Sequence, residues 1–422
     1  MPGCAVTLQQ VLDAREARRQ RQLARLGTPL VSLTLNMPGP VKDTGPGRLL
    51  FFSALAALRR ALPVAAEDVT LADTGCEAIL VCPMPPAELK AVCLVLEERR
   101  PVGRLLDLDV LDERGEKLSR PVSRTCLVCG GPAAPCARSR RHGLEAVTAA
   151  AQTLLTDFAA EFLGEQGELA LLREARLTPK PGLVDRRSSG AHRDMDLLLL
   201  ETSAHTLRPF FARAAVLGLR GGDAAALQAL GLEAEAAMLA ATGGVNTHRG
   251  AIYAFGLLLW AMGRRLAEER LDVFETAAAM AAELSPGGGD SHGAQVRRQY
   301  GAPGARGEAL AGYPHARMAW ELLRAEGDLS ALLALLAEVE DANVLYRGGP
   351  AGLLWLQGEA RRILALPLGE RQAAAEALDR SCIRRGLSPG GSADLLAAGY
   401  LLRALEPAWR PWKTVSPACE AY

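Results

Sequence analysis

The spacing of apolar and polar residues changes once along this chain, near residue 165. Before that point, alternating runs are interleaved with helical ones. The run P-L-V-S-L-T-L-N sets Val31, Leu33 and Leu35 against Ser32, Thr34 and Asn36, the period of a half-buried strand. Further strands are predicted over 77–82 and 104–111, helices over 49–62 and 87–99, and an Arg-rich surface helix over 7–25. Strand and helix in alternation imply an α/β or α+β domain on a mixed sheet, over residues 1–165. Residues 143–166 read as helix, with Gly164 the best place to end the first domain. Beyond it almost every segment has the helical period: 196–219, 223–241, 249–268, 272–284, 309–325, 329–336, 352–366, 369–384 and 393–405. Residues 166–422 are therefore expected to form an all-α domain.

Composition agrees with this division. The 422 residues are 49% hydrophobic but only 5% aromatic, so Ala and Leu must build the cores, which suits close-packed helices. A formal net charge of zero leaves no general basic field, which argues against nucleic acid and anionic membranes as partners. The longest apolar run, 251–263, is short for a bilayer, and the first residues lack the apolar centre of a signal peptide, so a cytoplasmic protein is expected. Nine cysteines without a secretion signal point to free thiols or a metal site.

Chemistry-bearing residues gather in loops. Prolines flank Lys180 in L-T-P-K-P-G-L-V-D-R-R-S-S-G-A-H-R-D-M-D (177–196), so this stretch cannot be helix and is expected to be a rigid loop holding Lys180, Asp185, His192, Asp194 and Asp196. T-G-G-V-N-T-H-R-G (242–250) and S-P-G-G-S-A-D (388–394) each open a helix, where glycines and free N–H groups attract anions, so both read as phosphate cradles. S-H-G with His292, G-A-R-G-E with Arg306 and Glu308, and D-A-N-V-L-Y-R-G-G with Asp341, Asn343 and Arg347 repeat the theme. One pocket at one end of a helical bundle would need such loops.

In the N-terminal half, L-D-L-D-V points Asp107 and Asp109 to the same strand face, an arrangement eased by a divalent cation such as Mg²⁺, with Gly103 and Arg104 placed to meet a phosphate. A solvent-facing acidic strand edge is the alternative. C-L-V-C-G-G-P-A-A-P-C-A-R-S-R-R-H, with Cys126, Cys129, Cys136 and His142, has the opening of a zinc knuckle; free thiols remain the other option.

The motifs T-P-K-P-G-L-V-D, G-A-H-R-D-M-D, T-G-G-V-N-T-H-R-G, S-H-G, A-R-G-E and S-P-G-G-S-A-D-L-L, in that order, resemble the triphosphoribosyl-dephospho-coenzyme A synthase family over residues 166–405. R-E-A-R, S-L-T-L-N-M-P-G-P-V-K, R-P-V-G-R-L-L-D-L-D-V and the Cys/His run resemble the apo-citrate lyase phosphoribosyl-dephospho-CoA transferase family over residues 7–145. One departure is Arg249, where the synthase pattern has Lys. The first resemblance implies that ATP and 3′-dephospho-CoA are joined, the coenzyme's 2′-hydroxyl displacing adenine from the ribose C1′. It implies Asp194 or Asp196 as base or Mg²⁺ ligand with Asp185 beside them, and His192 or His248 at the leaving group. Phosphate and substrate contacts would come from Lys180, Gly243, Gly244, Asn246, Thr247, Arg249, His292, Arg306, Glu308, Asp341, Asn343, Arg347, Ser388, Gly390, Gly391, Ser392 and Asp394.

The second resemblance implies transfer of the phosphoribosyl-dephospho-CoA unit to a serine of the citrate lyase acyl carrier subunit, with release of pyrophosphate. Asp107 and Asp109 would hold Mg²⁺, while Arg15, Asn36, Lys42 and Arg104 meet phosphates. Arg138, Arg140 and Arg141 and the N-terminal helix would dock an acidic carrier. The rivals are the same chemistry serving malonate decarboxylase, a zinc-dependent binding protein without activity, and an inactive chaperone, which the intact Asp107, Asp109, Asp194 and Asp196 argue against. Exposed helices in the second domain leave a homodimer open.

Overall fold

The computed structural model describes residues 5–285 and 292–409. The chain divides into two compact units, one formed mainly by residues up to 159 and one by residues 160–265 and 270–409.

The first unit opens with α1 (Leu8–Leu23), which begins in a reciprocal Thr7–Gln10 capping box and buries none of its residues. There follow β1 (Leu30–Leu35), α2 (Gly45–Ala61), β2 (Ala66–Ala72), β3 (Gly75–Val81), α3 (Pro86–Glu98) and β4 (Leu106–Leu111). The strands form one sheet in the order β2-β3-β1-β4, every pairing antiparallel. Helices α2 and α3 pack on β1 and β4, beside buried Leu33, Leu106, Leu108 and Val110. By the pleat, the opposite face carries Ser32, Thr34, Asp68, Thr70, Glu77, Asp107 and Asp109. Here α1 is fastened by charge rather than by apolar contact: Arg18 and Arg21 reach Glu77 at 2.5 Å each, and Arg25 reaches Asp68 at 2.8 Å. Two local expectations change. The strand expected from 104 begins at Leu106, because Pro101–Leu105 turns as a 3-10 helix. Strand β2 has no counterpart in the expected elements; it is a partly buried edge strand whose alternation, Val69 and Leu71 against Asp68 and Thr70, spans only four residues.

A short helix, α4 (Ala133–Arg138), precedes α5 (Leu144–Arg176), which runs straight through Gly164. This glycine does not end the helix; a Cβ there would come within 2.9 Å of Ala212 and of the Arg208 carbonyl, so its bareness serves a close contact.

The second unit continues with α6 (Leu197–Arg220), α7 (Ala224–Ala241), α8 (Arg249–Ala267), α9 (Val273–Glu283) and α10 (His292–Tyr300). Then come α11 (Gly304–Leu310), α12 (Pro314–Ala325), α13 (Asp328–Glu338), α14 (Ala342–Leu364), α15 (Leu368–Arg385), α16 (Gly390–Ala404) and α17 (Glu406–Trp409). It is all-helical, as the periodicity requires. The single helix expected over 309–325 is two, because Gly312 and Tyr313 adopt positive φ and Pro314 starts afresh. Helix α14 begins ten residues before the expected 352 and bends at Gly349–Pro350. By length and apolarity alone α7 meets the requirement for a bilayer-crossing helix. It nevertheless packs along α6 and carries Glu233 and Glu235, ion-paired to Arg213 and Arg249.

Candidate functional site

The loop over 177–196 contains no helix, as its prolines dictate, and it folds back onto the end of α5. Lys180 is driven inward to 1% exposure, where its ammonium donates to the Glu174 carboxylate at 2.6 Å and to the Glu174 carbonyl at 3.1 Å. Asp379 of α15 anchors the same loop by accepting from the Gly182 N–H at 2.9 Å. Around this loop the helix ends of the second unit enclose a cavity of about 830 Å³, near the upper end of small-molecule sites.

Its lining brings together Lys180, His192, Asp194, Asn246, Thr247, His248, Arg249, Arg306, Asn343, Arg347, Ser388, Gly390, Gly391 and Asp394. The same lining includes apolar side chains, among them Leu200, Phe210, Phe211 and Leu257. A lining that is part charged and part apolar suits a molecule that carries both phosphates and a flat base.

The side chains differ in electrostatic state. His248 is buried at the start of α8, its Nδ1 2.7 Å from Ser203 Oγ, which also accepts from Thr247 Oγ1 at 2.7 Å. Burial, with Lys180 nearby, pushes His248 down to about 3, so its imidazole is neutral at physiological pH. Its Nε2 is buried and finds no hydrogen-bond partner among the described residues. His192 is lowered by burial and by Arg347; its Nε2 lies 2.7 Å from Ser388 Oγ, and its Nδ1 3.9 Å from Asp194. Asp394, the fifth residue of α16, moves the other way: burial and the neighbouring Glu174 and Asp341 push its carboxyl well above the usual carboxylate range. It faces the start of α8 so closely that a Cβ on Gly250 would lie 2.0 Å from its Oδ2, which accounts for the glycine ending the T-G-G-V-N-T-H-R-G motif.

Other named residues stand elsewhere, each for a visible reason. Asp185 closes its own loop by accepting from the N–H groups of Arg187 and Ser188, and Asp196 caps α6 by accepting from Leu199 N at 2.9 Å. Gly243 and Gly244 end α7 at positive φ, with Gly244 N–H donating back to Leu239 at 2.7 Å. Glu308 accepts from the backbone of His315 and pairs with its ring. The amide and hydroxyl of Ser392 both donate to Asp341 Oδ2, at 2.7 and 3.0 Å, so the anion at this point of the α16 start is the protein's own carboxylate. The side chain of His292 and all of Ser291 lie outside the described residues.

Glu174, Ser203, Asp379 and Tyr253 were not singled out by sequence reasoning. Tyr253, beside Arg306 on the cavity wall, had a readable signal: it follows Arg249 by four residues, hence on the same helix face. Glu174, in the last turn of α5, and Ser203, in the second turn of α6, belong to no loop motif and carry none.

In the first unit, Asp107 and Asp109 do share a face, each with a cation beside it: Arg124 3.1 Å from Asp107 and Lys117 2.6 Å from Asp109. Arg124 also pairs with Glu97 at 2.5 Å. Glu97 is a buried α3 carboxylate that grips Arg120 and accepts from the Leu108 N–H at 3.1 Å. Arg104 donates to the Thr125 carbonyl. Lys42 donates to the Met37 carbonyl at 2.6 Å and is lowered by burial and by nearby Arg15. Asn36 is held by a backbone bond to Leu105 at 2.7 Å. Arg138, Arg140 and Arg141 are exposed around the end of α4. Cys126, Cys129, Cys136 and His142 come together, their ligand atoms within 4.8 Å of one another. Backbone N–H groups of Cys129 and Val128 pull the Cys126 thiol down to about 7.

Comparison with known proteins agrees with this two-part layout. Residues 160–412 match the family model described as ATP:dephospho-CoA triphosphoribosyl transferase, and residues 6–158 the one described as apo-citrate lyase phosphoribosyl-dephospho-CoA transferase. The chain is 37% identical to "Protein CitXG" of Haemophilus influenzae, over 94% of this chain and 95% of that one. It is 37% identical to the "2-(5''-triphosphoribosyl)-3'-dephosphocoenzyme-A synthase" of Haemophilus ducreyi, over 64% of this chain and 97% of that one. A "Probable 2-(5''-triphosphoribosyl)-3'-dephosphocoenzyme-A synthase" of Azotobacter vinelandii is 43% identical, over 56% of this chain and 89% of that one. The chain is thus a transferase that belongs to the ATP:dephospho-CoA triphosphoribosyl transferase family and carries, ahead of that region, one of the apo-citrate lyase phosphoribosyl-dephospho-CoA transferase family.

Proposed function

We propose that the second unit joins ATP to 3′-dephospho-CoA with loss of adenine, and that the first moves the resulting phosphoribosyl-dephospho-CoA unit onto a serine of the citrate lyase acyl carrier subunit with loss of pyrophosphate. The observation that carries the first half is the meeting of Lys180, His192, Arg306, Arg347 and Asp394 in one cavity whose lining also includes apolar side chains. In this reading the C1′–N9 bond of ATP breaks as the C1′–O2′ bond to the coenzyme forms. A neutral His192, steadied by Ser388 and Asp194, takes the hydroxyl proton, and Asp394, held protonated, gives one to the departing adenine. Arg306, Arg347 and Arg249 bind the triphosphate, which stays attached.

Mg²⁺ supplies charge neutralisation to phosphates when bound. In the second unit Asp194 is the exposed carboxylate on the cavity wall available to it. In the first, Asp107 and Asp109 offer hard oxygen donors on one face, and the mostly exposed Lys117 now beside Asp109 is easily displaced. Asp107 and Asp109 would hold the ion, and Arg124, Arg104 and Lys42 would bind phosphate. Incubation with ATP, 3′-dephospho-CoA and Mg²⁺ tests the first step: adenine should appear in equal amount to coenzyme consumed. Addition of apo-carrier should then raise its mass by the phosphoribosyl-dephospho-CoA unit. Adenine without coenzyme, or a carrier of unchanged mass, would refute the corresponding half.

A further inference from the structure

We propose that Cys126, Cys129, Cys136 and His142 bind one zinc ion, and that this ion holds the segment carrying Arg120 and Arg124 against β4. The metal site does not depend on the functional reading above; only its effect on carrier transfer does.

Three features point to it. The Sγ atoms of Cys129 and Cys136 are 3.7 Å apart. Two thiolates bound 2.3 Å from a tetrahedral zinc stand about 3.8 Å apart, whereas a disulfide would need about 2.05 Å. The second feature is His142 Nε2, buried and without a hydrogen-bond partner among the described residues while its ring closes the group. A buried imidazole nitrogen left so is costly unless something else fills the role. The third is the absence of a core. From residue 111 to 150 no described hydrophobic side chain is buried, so apolar packing does not hold this segment in place. Metal ligation supplies folding free energy to such segments.

The backbone is shaped for the ion. The Cys126 N–H donates to Gly131 O at 2.6 Å and Gly130 N–H returns to Cys126 O at 3.1 Å, with Gly130 at φ +70°, closing a tight turn that brings Cys129 beside Cys126. Helix α4 then presents Cys136, and Arg141 N–H bonds back to Cys136 O at 3.1 Å, delivering His142. Three sulfurs and one nitrogen make a closed set suited to zinc rather than to a hard cation. Arg124 lies two residues before the first ligand, and its carbonyl accepts from Ala133 N–H at 2.9 Å, so the knuckle fixes the strand of chain from which Arg124 reaches Asp107 and Glu97.

The test uses the full chain purified without chelator. One zinc per chain by elemental analysis is expected, falling to none in Cys129→Ser and Cys136→Ser. Replacing zinc by Co²⁺ should give the intense ligand-field bands of a tetrahedral site with thiolate charge transfer. A mercurial titration of the wild-type chain reads the same site without any variant: one zinc should be released as three thiols react together. Chains with far less than one zinc, an octahedral cobalt spectrum, full zinc in Cys136→Ser, or thiols that react without zinc release would each overturn the site. With the site established, unchanged carrier transfer after zinc removal would overturn its positioning of Arg124.

Discussion

Replacing Glu174 by Gln tests the buried charge at the centre of the second unit. Both hydrogen bonds described for the Lys180 ammonium go to Glu174, and the side chains are 1% and 6% exposed. Removing one partner of such a pair costs about 3–5 kcal/mol, since the remaining charge keeps its desolvation penalty without a counter-ion. Asp394 lies close enough to feel both groups, and loss of the Glu174 charge lets it ionise more readily and face Lys180 instead. The low end, about 3 kcal/mol, is therefore expected, which for a unit of this size lowers Tm by about 6–12 °C. Four of the five tryptophans, Trp260, Trp320, Trp355 and Trp409, lie in this unit, so fluorescence during urea or heat unfolding follows mainly this unit. Glu174→Gln/Lys180→Met, with both charges gone, should recover to within about 1 kcal/mol of wild type yet release no adenine. A single variant within about 1 kcal/mol of wild type, or a double variant as unstable as the single, would refute the reasoning.

Three further outcomes follow from the same cavity. His248 is held down at about 3 when folded but titrates near 6.5 unfolded, so the unfolded chain takes the proton first and stability present above pH 6.5 is lost by about 1.4 kcal/mol per pH unit below it. His248→Gln should abolish that component, and urea midpoints of wild type and variant that fall in parallel from pH 6.5 downward would contradict it. Asp394→Asn should slow adenine release by about 10²–10⁴-fold and erase the basic limb of its pH profile, because the wild-type acid works only while protonated and its pKa is raised; a limb that persists in the variant belongs to another group. Gly250→Ala puts a Cβ 2.0 Å from Asp394 Oδ2 and should cut adenine release sharply, whereas Gly358→Ala, with open space around it, should leave release unchanged and add about 0.5–1 kcal/mol of stability; equal activity in the two variants would show that the Gly250–Asp394 approach has no bearing on the chemistry.

What could be read from the sequence was what local physics dictates. Prolines 179 and 181 forbid helix whatever surrounds them, and the pleat of L-D-L-D-V puts Asp107 and Asp109 on one face without help from the fold. Glycine was the ambiguous letter. Gly164 reads as a domain end but serves helix contact, and Gly243 and Gly244 read as a cradle but end α7, because glycine is chosen for bareness as often as for flexibility. Partners chosen by the fold were out of reach: Glu174 stands six residues before Lys180, yet no local rule says that the ammonium turns inward to it, and nothing in S-P-G-G-S announces that Asp341, 51 residues away, takes the Ser392 amide. Asp196 was a candidate base or Mg²⁺ ligand on the strength of the family resemblance, yet the same position is where α6 needs its cap.

Whether the helix ends of the second unit meet around a nucleotide can be measured by photolabelling the full chain with 8-azido-ATP and mapping the labelled peptides. Label displaced by ATP on peptides covering 183–200, 227–235, 246–257 or 297–306 is the expected result, since these segments line the cavity. Label confined to surfaces away from those segments, or not displaced by ATP, would contradict the convergence on which the synthase chemistry depends.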